Sequence, residues 1–259
     1  MNPPRNENQN QRLLHGGQPS VLASLRRFAP TRPVSFQTAL AVAERQAEEF
    51  LRLSGIDPRM AQPVPTSLVE NLPRFRVIRE DIVESGMTQR AGGVWLIVLN
   101  RREARVRNRF TTFHEFKHAL DHHAGKHLYT GRHWLAGDER RADAARQRER
   151  AADYFAGCVL MPRAAVLALW REGVREPEAV AGAFDVSAAA ARVRLEQIGL
   201  LRPSWVCTRG LDPNLSVHDL PSRPPWPGRF DTMRALGLRD PRRAVRRTHV
   251  GVALAGRTT

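Results

Sequence analysis

Residues 111–123, "TTFHEFKHALDHH", constrain the fold of this chain more than any other stretch. Phe113, Phe116 and Leu120 recur at helical spacing and form an apolar stripe that has to be buried. His114 and His118 lie roughly 110–190° around the axis from that stripe, at about 100° per residue. A helix over 109–124 therefore needs a core on one side and an open cleft on the other. Two histidines four apart stand about 40° from each other, so both imidazoles can reach one ion. Glu115 is too near in sequence to share that ion comfortably; it is placed to hold a water beside it, the role that the H-E-x-x-H spacing gives it. The chain has nine histidines, and such a motif arises by chance about 0.02 times in a sequence like this. A solvated helix carrying a few histidines is the bland alternative.

A catalytic zinc site usually takes three protein ligands and leaves one position for water. The next helix, about 141–160, offers "ERAADYFAGCVLMP". Glu149 and Asp153 share one edge of it, beside an apolar stripe of Ala152, Phe155, Ala156 and Val159. Its alanines allow close packing on the first helix, which brings Glu149 to the ion. Asp153 is then placed to orient a ligating histidine by accepting its second N–H. Read alone, Glu149 is better taken as a surface acid of a charged helix that also carries Asp138, Glu139 and Asp143.

The rest of the chain frames these helices. Residues 35–56 form an amphipathic helix ending at Gly55, followed by a linker with prolines at 58, 63 and 65. "RFRVIRE" alternates as a half-buried strand, and "MTQRAGGVWLIVLN" predicts a hairpin turning at Gly92-Gly93 into a deeper strand, a candidate edge for an extended substrate. After Pro162 come two short helices, then a "DVS" turn with Ser187 capping "AAAARVRLEQIGL". The expected architecture is α+β: a small, mostly antiparallel sheet on a zincin-like helical core, then a helix-turn-helix-like unit. The expected spans are a disordered segment over 1–35, a metallopeptidase domain over 36–165 and the helical unit over 166–202. A Pro/Arg-rich and mostly disordered tail over 203–259 completes them, with "FDTMRALGL" as a short helix within it.

The net charge of +15 belongs mostly to the ends. Residues 1–35 contribute +4 and residues 203–259 contribute +6, leaving +5 for the middle. Only Lys117 and Lys126 among the basic residues are lysine, so compositional bias explains the arginines as readily as phosphate contacts do. Weak, salt-dependent nucleic-acid binding by the tails stays open. Two cysteines make no disulfide framework, and no run is long and apolar enough for a signal core or a span. A soluble, cytoplasmic protein without membrane contact is expected.

Three co-linear stretches resemble the ImmA/IrrE family of bacterial metallopeptidases, whose ligand arrangement is of the gluzincin type. The first is Arg109-Phe110-Thr111 with His114-Glu115 and His118; the second is Glu149, Ala152-Asp153, Phe155-Ala156 and Val159-Leu160-Met161-Pro162. The third is Phe184, Val186-Ser187, Ala190, Arg194-Leu195 and Gly199-Leu200. The resemblance spans about 75–200. It implies His114, His118 and Glu149 as ligands of zinc (or manganese), Glu115 as the catalytic base, Asp153 behind a histidine, and an Xre-type helix-turn-helix repressor as the protein substrate.

Two departures stand out. Lys117 occupies a position where the family usually has glycine, which points into the cleft, onto substrate or outward. The spacer before Glu149 is long and carries His122, His123, His127 and His133, read as loop or surface histidines, with His133 or Tyr129 a candidate for stabilising an oxyanion. The competing function is a regulator without turnover that binds DNA or protein through the helices at 177–200 and the basic tails. Arg192 and Arg194 are the only cations on the second of those helices, which favours packing over base reading.

Overall fold

The computed structural model describes residues 20–202. The expected helix in "FDTMRALGL" and the remainder of the C-terminal tail lie outside the described residues, as do residues 1–19.

The first element among the described residues is α1 (Val21–Arg26), capped by the Ser20 hydroxyl, which accepts the Ala23 N–H. The expectation of disorder through residue 35 is thus corrected for residues 20–35. Leu25 is wholly buried, and the Arg26 guanidinium donates to the carbonyls of Ala119 and Leu120. Polar composition hid one apolar anchor and one long-range pair of hydrogen bonds. Next, α2 (Phe36–Leu53) starts at the Ser35 cap and buries Leu40, Ala43, Ala47, Phe50 and Leu51 at helical spacing. A short α3 (Ser67–Glu70) precedes three strands, β1 (Phe75–Glu80), β2 (Gly86–Ala91) and β3 (Val94–Asn100).

Gly92 and Gly93 both take positive φ and close the β2–β3 hairpin, as the sequence predicts. The sheet order is β1-β3-β2, with β1 parallel and β2 antiparallel to β3. The sheet is therefore mixed, not mostly antiparallel. Its most apolar strand, β3, sits in the centre, where both of its edges are paired. The expectation that residues 94–99 offer a free edge is corrected: that edge belongs to β2.

Six helices follow: α4 (Arg105–Asp121), α5 (Gly125–Leu128), α6 (Gly137–Leu160), α7 (Arg163–Arg171), α8 (Pro177–Phe184) and α9 (Ala188–Gln197). Helix α4 packs on β2 and β3 and also on α6, and α6 packs on α2. Phe116 is the hub of this arrangement. Its ring meets Phe50 of α2 at 5.1 Å, Phe75 of β1 at 5.4 Å and Phe155 of α6 at 6.1 Å. Phe113 and Phe116 are wholly buried and Leu120 nearly so, as the apolar stripe requires.

A second cluster, built on Met161, Val166, Val180, Phe184 and Leu195, joins α7, α8 and α9. Arg109 and Arg194 tie it to the first. The Arg109 guanidinium donates to the Val64 and Asp185 carbonyls and pairs with the Asp185 carboxylate at 2.8 Å. Arg194, almost wholly buried, donates to the Met161 carbonyl and lies over the Tyr154 ring.

Lys117 takes none of the three directions expected of it. It is 1% exposed and points into the interior, where Nζ donates to Asp121 Oδ1 at 2.8 Å and Gln46 Oε1 at 2.7 Å. The Tyr129 hydroxyl donates to the other oxygen of Asp121. This uses up Tyr129, which is corrected as an oxyanion candidate. Burial pushes the Lys117 ammonium down from its usual range, opposed by Asp121. Lys117→Met leaves Asp121 buried with the Tyr129 hydroxyl alone and should lower stability by roughly 3–5 kcal/mol. Adding Asp121→Leu should recover part of that loss. Urea midpoints check both statements, and a single variant as stable as the parent contradicts them.

Candidate metal centre

Helix α4 presents His114 and His118 one turn apart on the side opposite Phe116. Their Nε2 atoms are 3.0 Å apart. From α6, Glu149 brings Oε2 to 3.3 Å from His114 Nε2 and 3.5 Å from His118 Nε2. Ala152 and Ala156, wholly buried on either side of Phe155, keep that stretch of α6 slim where the two helices pack. Three donor atoms each about 2.0–2.1 Å from one tetrahedral ion stand about 3.3–3.4 Å apart. The observed triangle has edges of that size, and two imidazoles with one carboxylate suit zinc. The residues fit the ion.

Behind this triangle, His114 Nδ1 lies 2.9 Å from Asp153 Oδ1. An N–H donated there fixes the ring and leaves Nε2 for the ion, which is the arrangement expected of Asp153. Burial alone would push His114 down, but the carboxylates of Asp153 and Glu149 outweigh it and hold its pKa up at about 9. The same two imidazoles hold the Glu149 carboxyl far below its ordinary range.

Glu115 faces the same space. Its ligand oxygen and the two histidine nitrogens all lie within 4.8 Å of one another, so these three alone are able to hold an ion. Glu149 is nonetheless the better third ligand, because its oxygen stands closer to both imidazoles and Glu115 is engaged elsewhere. Thr88 of β2 directs its hydroxyl at Glu115, 2.7 Å from Oε2 and 3.0 Å from the backbone carbonyl. That leaves Oε1 of the carboxylate turned to other use. Nothing in the sequence singled out Thr88, since a threonine facing a helix from a strand is ordinary. Gly86, at the start of β2, supplies the clearance: a Cβ there would meet Thr111 Cγ2 at 2.5 Å and Glu115 Cγ at 3.3 Å.

A polar cavity of about 310 Å³ opens over the site, lined by Thr88, Trp95, Glu115, His122, Arg148 and Glu149. An apolar groove of about 420 Å³ flanks it at the other end of α4, with Phe110, Asp153, Gly157, Met161 and Val193 on its walls. His133 is exposed and absent from the linings of both. His123 is exposed as well, while His122 lines the polar cavity against the edge of Trp95. On α9, the burial of Arg194 leaves Arg192 as its one exposed cation, and that side chain lies 3.8 Å from Glu196. A helix so short of free polar groups is built for packing.

Residues 74–196 match the family model Peptidase_M78, described as the IrrE N-terminal-like domain. No curated protein matches the sequence. Among solved structures, a Mycobacterium tuberculosis transcriptional regulator aligns at 16% identity with a TM-score of 0.48, over 72% of this chain and 54% of its own. The chain therefore spans about half the length of that protein. No single helix among the described residues is long and apolar enough to cross a membrane.

Purified protein should hold one zinc ion per chain, and His118→Ala or Glu149→Ala should weaken that binding by at least about 100-fold. To act as a ligand His114 must shed its proton. Chelator-stripped protein should therefore release about one proton per ion at neutral pH, and apparent affinity should rise about tenfold per pH unit until about pH 9, then level off. Competition with a zinc indicator across that range tests the slope. A flat profile, or full retention of metal by both variants, contradicts the ligand set.

Proposed function

From the match of residues 74–196 to the family model Peptidase_M78, the IrrE N-terminal-like domain, we propose that the chain is a zinc-dependent endopeptidase. The observation that carries the reading is the convergence of His114, His118 and Glu149 on one point with Glu115 beside it.

His114, His118 and Glu149 would hold the zinc, which would supply Lewis acidity toward a water and a peptide carbonyl. The protein does the rest. Glu115 takes a proton from the attacking water at Oε1 while Thr88 holds Oε2, and it returns that proton to the leaving amine. Asp153 keeps the His114 ring oriented throughout. An extended substrate chain lies along β2, whose outer edge is free among the described strands, with backbone pairing supplying affinity. The family resemblance supplies the substrate class: an Xre-type helix-turn-helix repressor, with one encoded beside this gene the first to test.

Replacing Glu115 by Gln removes the proton acceptor and keeps the ligands. Zinc content should stay at one per chain, while cleavage of an unfolded protein such as β-casein should fall by about 10²–10⁴-fold. Undiminished cleavage by this variant would exclude Glu115 as the base. Absence of cleavage by the zinc-loaded parent, toward casein and repressor alike, would leave the regulator without turnover.

A further inference from the structure

The polar cavity over the candidate metal centre is bordered by Trp95. That residue also lines a separate, larger cavity of about 780 Å³ whose walls include Arg26, Arg27, Arg74 and Arg90, with no acidic residue among the described residues that line it. We infer that this arginine pocket receives acidic side chains of the polypeptide being cleaved; the inference rests on the peptidase reading above.

Many exposed arginines of this chain have carboxylate partners, as Arg52 has Glu49, Arg59 has Asp57 and Arg101 has Asp81. The four in the pocket make no ion pair among the described residues. Arg26 is fixed by its bonds to the last carbonyls of α4, and Arg90 is held 5.8 Å over the Trp95 ring. Burial and the neighbouring Arg90 both disfavour the charge on Arg26, partly offset by Asp121. An anion entering the pocket relieves that mutual repulsion.

Strand geometry connects the pocket to the site. Thr88 and Arg90 are two residues apart on β2, so they share a face and stand about 7 Å apart along the strand. Thr88 touches the proposed base. A chain laid along the free edge of β2 with its cleaved bond at Glu115 therefore carries a side chain two or three residues away to Arg90. That edge offers backbone N–H and C=O groups, which pair with polypeptide and have no counterpart along a nucleic-acid backbone.

The test uses zinc-loaded full-length protein with β-casein, an acidic unfolded substrate. Arg74→Glu with Arg90→Glu should raise KM about tenfold and leave kcat within about twofold, and the difference should shrink in about 0.5 M salt. Arg74→Lys with Arg90→Lys should stay near the parent. Arg171→Glu with Arg175→Glu, an equal charge change on and just after α7, should leave KM unmoved. In the Glu115→Gln background, fluorescence anisotropy with labelled hexaglutamate should show the same loss for the pocket variant, whereas a single-stranded DNA oligomer should not distinguish it from the α7 control. A KM shared by the pocket and control variants, or a loss confined to the oligomer, overturns the inference while leaving the peptidase reading intact. A parent that cleaves nothing, yet binds hexaglutamate through Arg74 and Arg90, sinks the peptidase reading and supports an acidic-polypeptide pocket.

Discussion

The contact between α4 and α6 is the constraint on which the rest depends. Two imidazoles on one helix can pair with many things, but a carboxylate from a second helix must be carried to them by backbone packing. Phe116 and Phe155 lock the two helices side by side within the core. Once they are locked, the exposed edge of α6 carries Glu149 and Asp153 to the front and flank of His114. Electrostatics then make the point attractive to a cation: two carboxylates hold the pKa of His114 up at about 9 despite its burial. A site that favours a proton this strongly on nitrogen is also one that favours a divalent ion once that proton leaves.

The site was legible in the sequence because it is written in helical periodicity. Phe113, Phe116 and Leu120 fixed the buried side of α4 and thereby the direction of His114 and His118. The alanines near Glu149 gave the packing of α6. What stayed hidden depended on contacts between distant segments. Lys117 was readable as a cation beside the cleft, but its partners Gln46 and Asp121 come from α2 and α4, Asp121 is held in turn by Tyr129 after α5, and only the fold shows that they meet. Thr88 was invisible for the same reason. Strand order was a further miss, because the sequence shows which segments are strands and not which of them is central. Residues 20–35 were misread through composition, which says little when one leucine and one arginine supply the anchoring.

The cleft also has a polarity that neither the motif nor the fold class implies. An apolar groove lies between α4, α6 and α9, the candidate ligands border a polar cavity beside it, and arginines line a third cavity on the other side of Trp95. The edge strand β2 runs past Glu115 and advances about 3.4 Å per residue. The buried Arg194 removes the main cation of α9 from any role in reading nucleic acid and spends it on joining α9 to the end of α6.

The most direct measurement of the central claim is the zinc K-edge absorption spectrum of the purified protein. The account predicts two imidazole nitrogens with one carboxylate and one water oxygen at about 2.0–2.1 Å, and a shell that loses its carboxylate when Glu149 is replaced by Ala. A shell containing sulfur, or one that is unchanged in that variant, would place the ion elsewhere and contradict the account.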